Sequence, residues 1–448
     1  MHSEDIYNGE LTAKKFAGFV WPSVLMMVVM ALYYTIDSIF VANYVGEEGL
    51  AAINIAYPVQ GLMWGVAVML AAGSSALVAI EMGKGNMREA DSKFTFICVF
   101  GLALGCGATL LMFIFMDPVV DVLGATELLA KDCALFLKIF VWGCPAAFLG
   151  VLFEFFIRVD GKPAFTIFLY IGGGVTHLGL DIILMGPLHM GLAGAAVANV
   201  GGLWMTALTG LGYFLFAKTR LSFSRFHPDF RYIGHSFVNG SPELVNESAA
   251  GIMVFCYNMI VVRLAGETGV AAAAIVLNIH YFFMSVHMGY SVGVTPLISY
   301  WYGAGMTDRI NKVMKYTKKY MLVASVAIAA LCFILAEPLT MIYERPGSEL
   351  FEMSSNGLRI VSLSLLVIGI NVFASNMFTA YGNGLVSTVI AIARGLVFLL
   401  AGLLILPELM GMDGAWLALP FGDILTLGLS FLLLRKYSRK YNYKILGE

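Results

Sequence analysis

Several ionisable side chains stand inside long apolar stretches of this 448-residue chain: Asp37, Glu154, Asp181, Glu247, His280, His287, Arg394 and Asp423. A charge at mid-bilayer costs about 2.5–3.5 kcal/mol on insertion scales, so such residues are paired or functional. Asp181 follows His177 by four residues, which puts both on one helix face. A carboxylate and an imidazole one turn apart can trade a proton. The carboxylate can instead hold Na⁺ among oxygens, with Thr176 and Tyr170 nearby in sequence. Asp37 lies in Tyr33-Tyr34-Thr35-Ile36-Asp37-Ser38, about four helical turns beyond Pro22. It either binds a coupling cation or anchors the outer end of its helix. Asp37, Asp181 and His177 are the candidate cation-coupling residues.

Glu154 and Arg158 are also one turn apart, and a neutralising pair is their simplest reading. Glu154 is nonetheless a candidate for a proton path. So is Glu247, one turn deeper in its stretch than Glu243. His280 and His287 are seven apart and share a face; they are either hydrogen-bonded packing residues or the lining of a cavity. The candidate cavity set is Tyr33, Tyr34, Met63, Trp64, Met253, Tyr257, His280, Met284 and His287. Methionine and aromatics adapt to varied hydrophobic ligands, although each of these residues would serve equally as core or lipid contact. No His, Asp or Glu cluster has catalytic zinc spacing, and no nucleophile–base pair can be argued. The cysteines at 98, 106, 133, 144, 256 and 332 form no metal-spaced pair and read as apolar filler. Gly83-Lys84-Gly85 lacks phosphate-loop spacing. No cofactor, no metal, no ATP and no enzymatic role are expected.

The elements that position these residues follow from composition. The chain is 59% hydrophobic and 12% charged. A soluble globular protein carries about 25% charged residues, so the solvent here is lipid. Net charge is −2, and no basic module for nucleic acid is present. Twelve stretches reach the roughly 20 residues that a bilayer requires. They are 16–40, 50–80, 93–116, 133–156, 163–183 and 191–217, then 237–262, 269–300, 317–336, 357–380, 385–406 and 413–434. The polar N-terminal residues have no signal-peptide cleavage pattern, so the first stretch is expected to be retained.

Basic residues fall on alternate loops. One side holds Lys14, Lys15, Lys84, Arg88, Lys93, Arg158, Lys162, Lys218, Arg220, Arg225, Arg231, the Arg309–Lys319 group and the Arg435–Lys444 group. The other has only Lys131, Lys138, Arg263, Arg345 and Arg359. The positive-inside rule puts both termini in the cytoplasm. The connector 218–236 alternates aromatic and basic residues, which suits an amphipathic segment at the inner interface or an ordinary basic loop.

The chain also repeats itself. Val41-Ala42-Asn43-Tyr44-Val45-Gly46-Glu47-Glu48-Gly49 returns 220 positions later as Val261-Val262-Arg263-Leu264-Ala265-Gly266-Glu267-Thr268-Gly269. Pro22 falls on Pro242, Gly73 on Gly293, Gly85 on Gly305, and Gly191 and Gly194 on Gly411 and Gly414. Six spans per half make the copies parallel, related by an axis along the membrane normal, as in many secondary transporters. The expected division is 1–217, connector 218–236, and 237–448.

Taken in order, these marks resemble the multidrug and toxic compound extrusion (MATE) transporters, in the prokaryotic branch with an N-lobe aspartate pair. They are Pro22, Asp37 followed by Phe40-Val41-Ala42-Asn43-Tyr44-Val45-Gly46, Leu50-Ala51-Ala52, Gly73, Gly83-Lys84-Gly85 with Arg88-Glu89-Ala90, and Asp160-Gly161-Lys162-Pro163. The resemblance implies an all-α polytopic membrane protein with twelve transmembrane helices in two parallel six-helix lobes. It implies a monomer in the cytoplasmic membrane that exports amphipathic organic cations in exchange for H⁺ or Na⁺. It implies that Asp37 and Asp181 form the N-lobe cation site. His177 stands where relatives often have asparagine, which favours H⁺. Span 10 offers only Asn371, Ser375 and Asn376, so the C-lobe cation site of another branch is not expected. The alternative function is a flippase or exporter of an endogenous lipid-linked or anionic metabolite, which would need a more basic cavity.

Overall fold

The computed structural model describes residues 4–445. The side chains of residues 4–5, 34–43, 47–48 and 127–128 lie outside the described residues, and Asp37 and Tyr34 are among them. The described chain is helical almost throughout. In order come α1 (Glu4–Tyr7), α2 (Ala13–Gly83), α3 (Met87–Ile114), α4 (Met116–Val122) and α5 (Glu127–Phe140). Then come α6 (Cys144–Val159), α7 (Ala164–Met185), α8 (Gly191–Phe216), α9 (Phe230–Gly303) and α10 (Thr307–Ile334). Last are α11 (Ala336–Thr340), α12 (Glu349–Val361), α13 (Ile368–Ala380), α14 (Gly384–Ile392) and α15 (Phe398–Tyr441). Lipid offers no partner to a bare N–H or C=O, so an apolar stretch must bond its backbone internally, as a helix does.

Three of these helices are longer than any single span, and each is broken. α2 breaks at Gly46 (φ 76°), α9 at Ala265–Gly266 (φ 61° at Gly266) and α15 at Gly411 (φ 59°). A left-handed φ at these points favours glycine, which lacks a Cβ. Gly46 and Gly266 are repeat mates, so each half breaks its long hairpin at the same place. Counted with these breaks, the helices give the twelve expected spans. The tenth is not straight: Glu349–Leu366 and Ile368–Ala380 meet at 43°. The ends of α2 and α9 also match. Gly85 N–H bonds Met82 O at 3.0 Å and Asn86 N–H bonds Glu81 O at 3.0 Å, while Gly305 and Met306 repeat this at 3.2 and 2.9 Å. This is a Schellman stop, with left-handed Gly85 and Gly305 as its pivots.

The chain packs as two compact units that do not follow its linear halves. The first comprises Met1–Glu10 and Val29–Gly240; the second comprises Leu11–Val28 and Ser241–Glu448. Glycines explain this exchange. In the first unit a Cβ on Gly73 would lie 1.9 Å from Ser236 O, and one on Gly240 would lie 1.8 Å from Met69 O. In the second, a Cβ on Gly289 would lie 2.5 Å from Val24 Cα, and one on Gly293 would lie 3.1 Å from Ser23 Cβ. Small residues let membrane helices approach this closely, where dispersion replaces the hydrophobic effect as the attraction.

The connector belongs to the first unit, and its Phe223 and Phe226 pack on protein while Phe230 is exposed. Asp160, fully buried, accepts from Tyr213 Oη at 2.5 Å, Arg220 N at 2.5 Å and Leu221 N at 3.0 Å. Ser222 N donates to Asp91 Oδ1 at 2.8 Å. Phe223 packs on Phe94, and Phe226 stacks on Phe96 with centroids 5.5 Å apart. Part of the connector's aromatic and polar pattern is thus spent on α3, α6 and α8.

Candidate ion-coupling site

The first unit gathers its polar groups along one face of α7. Tyr170, His177 and Asp181 recur at intervals of seven and four, which lie on one side of a helix. α8 approaches α7 through two glycines. A Cβ on Gly202 would lie 2.9 Å from His177 Cβ, and one on Gly173 would lie 2.1 Å from Thr206 Oγ1. This crossing buries His177 to 5% exposure and Asp181 to 0%.

From α2, Tyr33 reaches the same point. Its hydroxyl hydrogen-bonds His177 Nδ1, and the two rings lie 5.8 Å apart. Gly174 makes room for this ring: a Cβ there would touch Tyr33 at 3.4 Å. His177 Nε2 lies 3.3 Å from Asp181 Oδ2. The result is a phenol–imidazole–carboxylate chain inside the membrane-embedded part of the unit. Position 37 lies one turn beyond Tyr33 on α2, and the Asp37 side chain is outside the described residues.

Two oxygens that sequence placed beside Asp181 are engaged elsewhere. Thr176 Oγ1 donates to Gly172 O at 2.8 Å within its own helix. Tyr170 Oη donates to Glu154 Oε2. Glu154 also pairs with Arg158, and both are buried, at 4% and 1% exposure. The Arg158 guanidinium lies over the Phe155 ring at 5.0 Å. Glu154 is therefore a neutralised carboxylate tied by Tyr170 to the face that carries His177.

The other candidates scatter. Met63 touches Cys144 Sγ at 3.6 Å, and Trp64 is half-buried. In the second unit Met253 and Met284 are half-buried against the core. Tyr257 is fully buried and donates to Ala415 O at 2.8 Å. His280 Nε2 is bonded to Ser364 Oγ at 2.7 Å. His287 is enclosed edge-on to Tyr320, with centroids 6.2 Å apart. In this state Tyr257, His280 and His287 are thus interior to their unit. Glu247 is exposed. Sequence reasoning missed two pairings in the second unit, Arg394 with Asn246 and Asn371 with Asp423. Arg394 Nη2 donates to Asn246 Oδ1 at 2.9 Å, and Asn371 Nδ2 donates to Asp423 O at 2.9 Å. Their separation along the chain hides this, although the buried charges alone were a signal. Among the described residues no group of three or more His, Cys, Asp and Glu could hold a metal ion.

Comparison with known proteins fits this architecture. The MatE family model matches residues 22–183 and 248–402. The multidrug export protein MepA of Staphylococcus saprophyticus is 24% identical over 423 residues, covering 92% of this chain and 90% of that protein. MepA of Staphylococcus aureus is 23% identical over 421 residues, 92% of each. Among solved structures, an outward-facing multidrug resistance MATE family transporter of the MOP superfamily superposes with TM-score 0.90 at 22% identity, covering 96% of both chains. A MOP superfamily transporter from Pyrococcus furiosus, described as having a binding pocket of reversed polarity, superposes with TM-score 0.88 at 22% identity, covering 96% of this chain and 97% of that one. With its repeated six-helix halves and a family model spanning most of its length, this chain belongs to the MatE family, whose members are membrane transporters and not enzymes.

Proposed function

We propose that this chain exports amphipathic organic cations across the cell membrane by alternating access, coupled to inward movement of H⁺ through Asp181, His177 and Asp37. The observation that carries the reading is the Tyr33–His177–Asp181 chain. An imidazole between a phenol and a carboxylate passes protons, because it can accept at one nitrogen while donating at the other. Na⁺ would need a shell of free oxygens, and the Thr176 and Tyr170 hydroxyls are occupied elsewhere. Two carboxylates in one poorly hydrated place resist joint ionisation and titrate as a pair. A change in that charge biases α2, and each ligand must prefer one of the two conformations for exchange to occur. Drug contacts fall to the adaptable side chains Tyr33, Tyr34, Met63, Trp64, Met253 and Met284. Tyr257, His280 and His287 join them only if the second unit opens. The protein works as a monomer with both termini cytoplasmic, by its basic-residue bias.

The test is efflux of a cationic dye from vesicles with H⁺ and Na⁺ gradients imposed separately. Efflux should follow the H⁺ gradient. Efflux driven by Na⁺ alone would overturn the proton assignment. Transport of an anionic lipid-linked substrate without dye efflux would overturn the substrate class.

A further inference from the structure

The outer surface of the second unit changes character along two of its helices. On α10, Lys312, Lys315, Lys319, Leu322 and Val326 recur at intervals of three and four, which draws one stripe along the helix. All are exposed, Leu322 at 63% and Val326 at 57%. An exposed apolar stripe on a membrane-spanning helix meets acyl chains, so the lysines that continue it stand at headgroup level. α15 runs the same way in reverse: exposed Leu432 is followed on one face by exposed Lys436 and Arg439. The two basic ends belong together, because Lys444 N donates to Asn311 Oδ1 at 2.7 Å and ties the chain beyond α15 to the start of α10.

We propose that this basic stripe is a docking surface for anionic lipid of the cytoplasmic leaflet, with Lys312, Lys315 and Lys319 as the main contacts and Lys436 and Arg439 flanking them. The charges are free to be used. Among the described residues none of them has an acid within 4.0 Å. Lys436 lies over the Tyr437 ring, 5.8 Å from its centroid, which steadies the ammonium without neutralising it. Like charges one turn apart repel, and an anion shared among them relieves this. An ammonium brings three donors, and a phosphate oxygen accepts charge-assisted bonds from more than one. Juxtamembrane basic clusters of this kind attract acidic headgroups, each residue adding to the attraction.

The first unit shows what the same helix looks like without this surface. The repeat mates of Lys312, Lys315 and Lys319 on α3 are Ser92, Thr95 and Val99. Thr95 Oγ1 accepts from Ser224 N at 2.9 Å, so the connector lies over that stretch. The lysine that α3 does carry there, Lys93, is spent on Glu81 at 3.6 Å and Glu89 at 3.3 Å. Lys436 and Arg439 have Phe216 and Thr219 as mates. The positive-inside rule asks only for basic loops. It does not line the charges up, unpaired, at the end of one lipid-facing stripe.

The test is electron paramagnetic resonance of spin-labelled phosphatidylglycerol and phosphatidylcholine, with identical acyl chains, around the full-length protein in bilayers. The share of each lipid held motionless at the protein surface gives the headgroup preference. Wild type should prefer phosphatidylglycerol, and rising salt should weaken the preference. Lys312→Gln/Lys315→Gln/Lys319→Gln should lose most of it. Lys312→Arg/Lys315→Arg/Lys319→Arg should retain it, which separates loss of charge from loss of fold. Arg88→Gln/Lys93→Gln in the first unit should keep it as well. An unchanged preference in the glutamine triple variant overturns the proposal, as does an equal loss in the first-unit variant. Displacement of the lipid by matched inorganic phosphate also overturns it, since the surface would then be a site for free anions. The readout needs neither dye nor gradient, so its failure is distinct from failure of the ion-coupling site.

Discussion

The two units are built on one repeat yet carry different chemistry at matching places. In the first, Tyr33, His177 and Asp181 meet at the crossing of α2, α7 and α8. The repeat mates of these positions are Met253, Val397 and Ala401, and that of Asp37 is Tyr257. Conversely, Arg394, Asp423 and Asn371 of the second unit fall on Gly174, Leu203 and Val151. The scaffold, by contrast, is shared. Gly73 and Gly293 both admit the start of a first span, and Gly46 and Gly266 both break a helix. Glycine positions thus set the frame in both copies, while charge has been placed independently in each.

The most severe test of this asymmetry is Asp181→Asn. Gradient-driven dye efflux should fall to background with protein still in the membrane, and so should efflux in Asp37→Asn. Wild-type efflux in either variant at equal expression would remove the special status of the first unit.

Next in size is Glu154→Gln. It leaves Arg158 buried with half a partner, and breaking a buried pair costs about 3–5 kcal/mol. Thermal unfolding in detergent should show that loss. The repeat mate of Glu154 is Ala374, so Ala374→Gly should change stability far less.

The shared scaffold predicts matched effects in both units. Gly202→Ala drives a methyl against His177, and Gly422→Ala, its repeat mate, meets Leu399 N at 3.1 Å. Each should cost about 1–3 kcal/mol. Gly172→Ala, with open space around it, should not. A large cost in only one of the pair would show that the frames are not equivalent.

The smallest expected effect is that of Tyr33→Phe. It removes the hydroxyl from His177 and keeps the ring. Loss of one hydrogen bond is worth about 0.5–1.5 kcal/mol, a few-fold in efflux rate, with a shifted pH profile. No change in that profile would detach Tyr33 from the proton path.

Much of this was legible in the residues. The offset of 220 gave two copies and their breaks, because a left-handed turn needs glycine wherever it recurs. The i, i+4 spacing put His177 and Asp181 on one face, since helical geometry is local. What stayed hidden is tertiary. Nothing near Tyr33 announces His177, 144 positions away. Thr176 and Tyr170 have the right spacing for Asp181, but each found a nearer or stronger acceptor. Asp423 and Asn371 are 52 positions apart, and only packing joins them. The division at 218–236 followed the sequence repeat, whereas packing assigns Leu11–Val28 to the second unit and the connector to the first.

That exchange of first-span segments has a consequence for biogenesis. Residues Leu11–Val28 leave the ribosome early, yet the unit they complete begins again only at Ser241. At synthesis rates of about 5–20 residues per second, the segment waits roughly 10–45 s in the bilayer before its partners are made. Through that interval the Val20–Val24 surface that will receive Gly289 and Gly293 is without them, open to lipid or to an insertion chaperone. The first unit closes late as well, for Ser236 and Gly240 pack on Gly73 and Met69 of α2, which are made much earlier. The second unit therefore cannot close until α9 arrives to claim a helix that was inserted first.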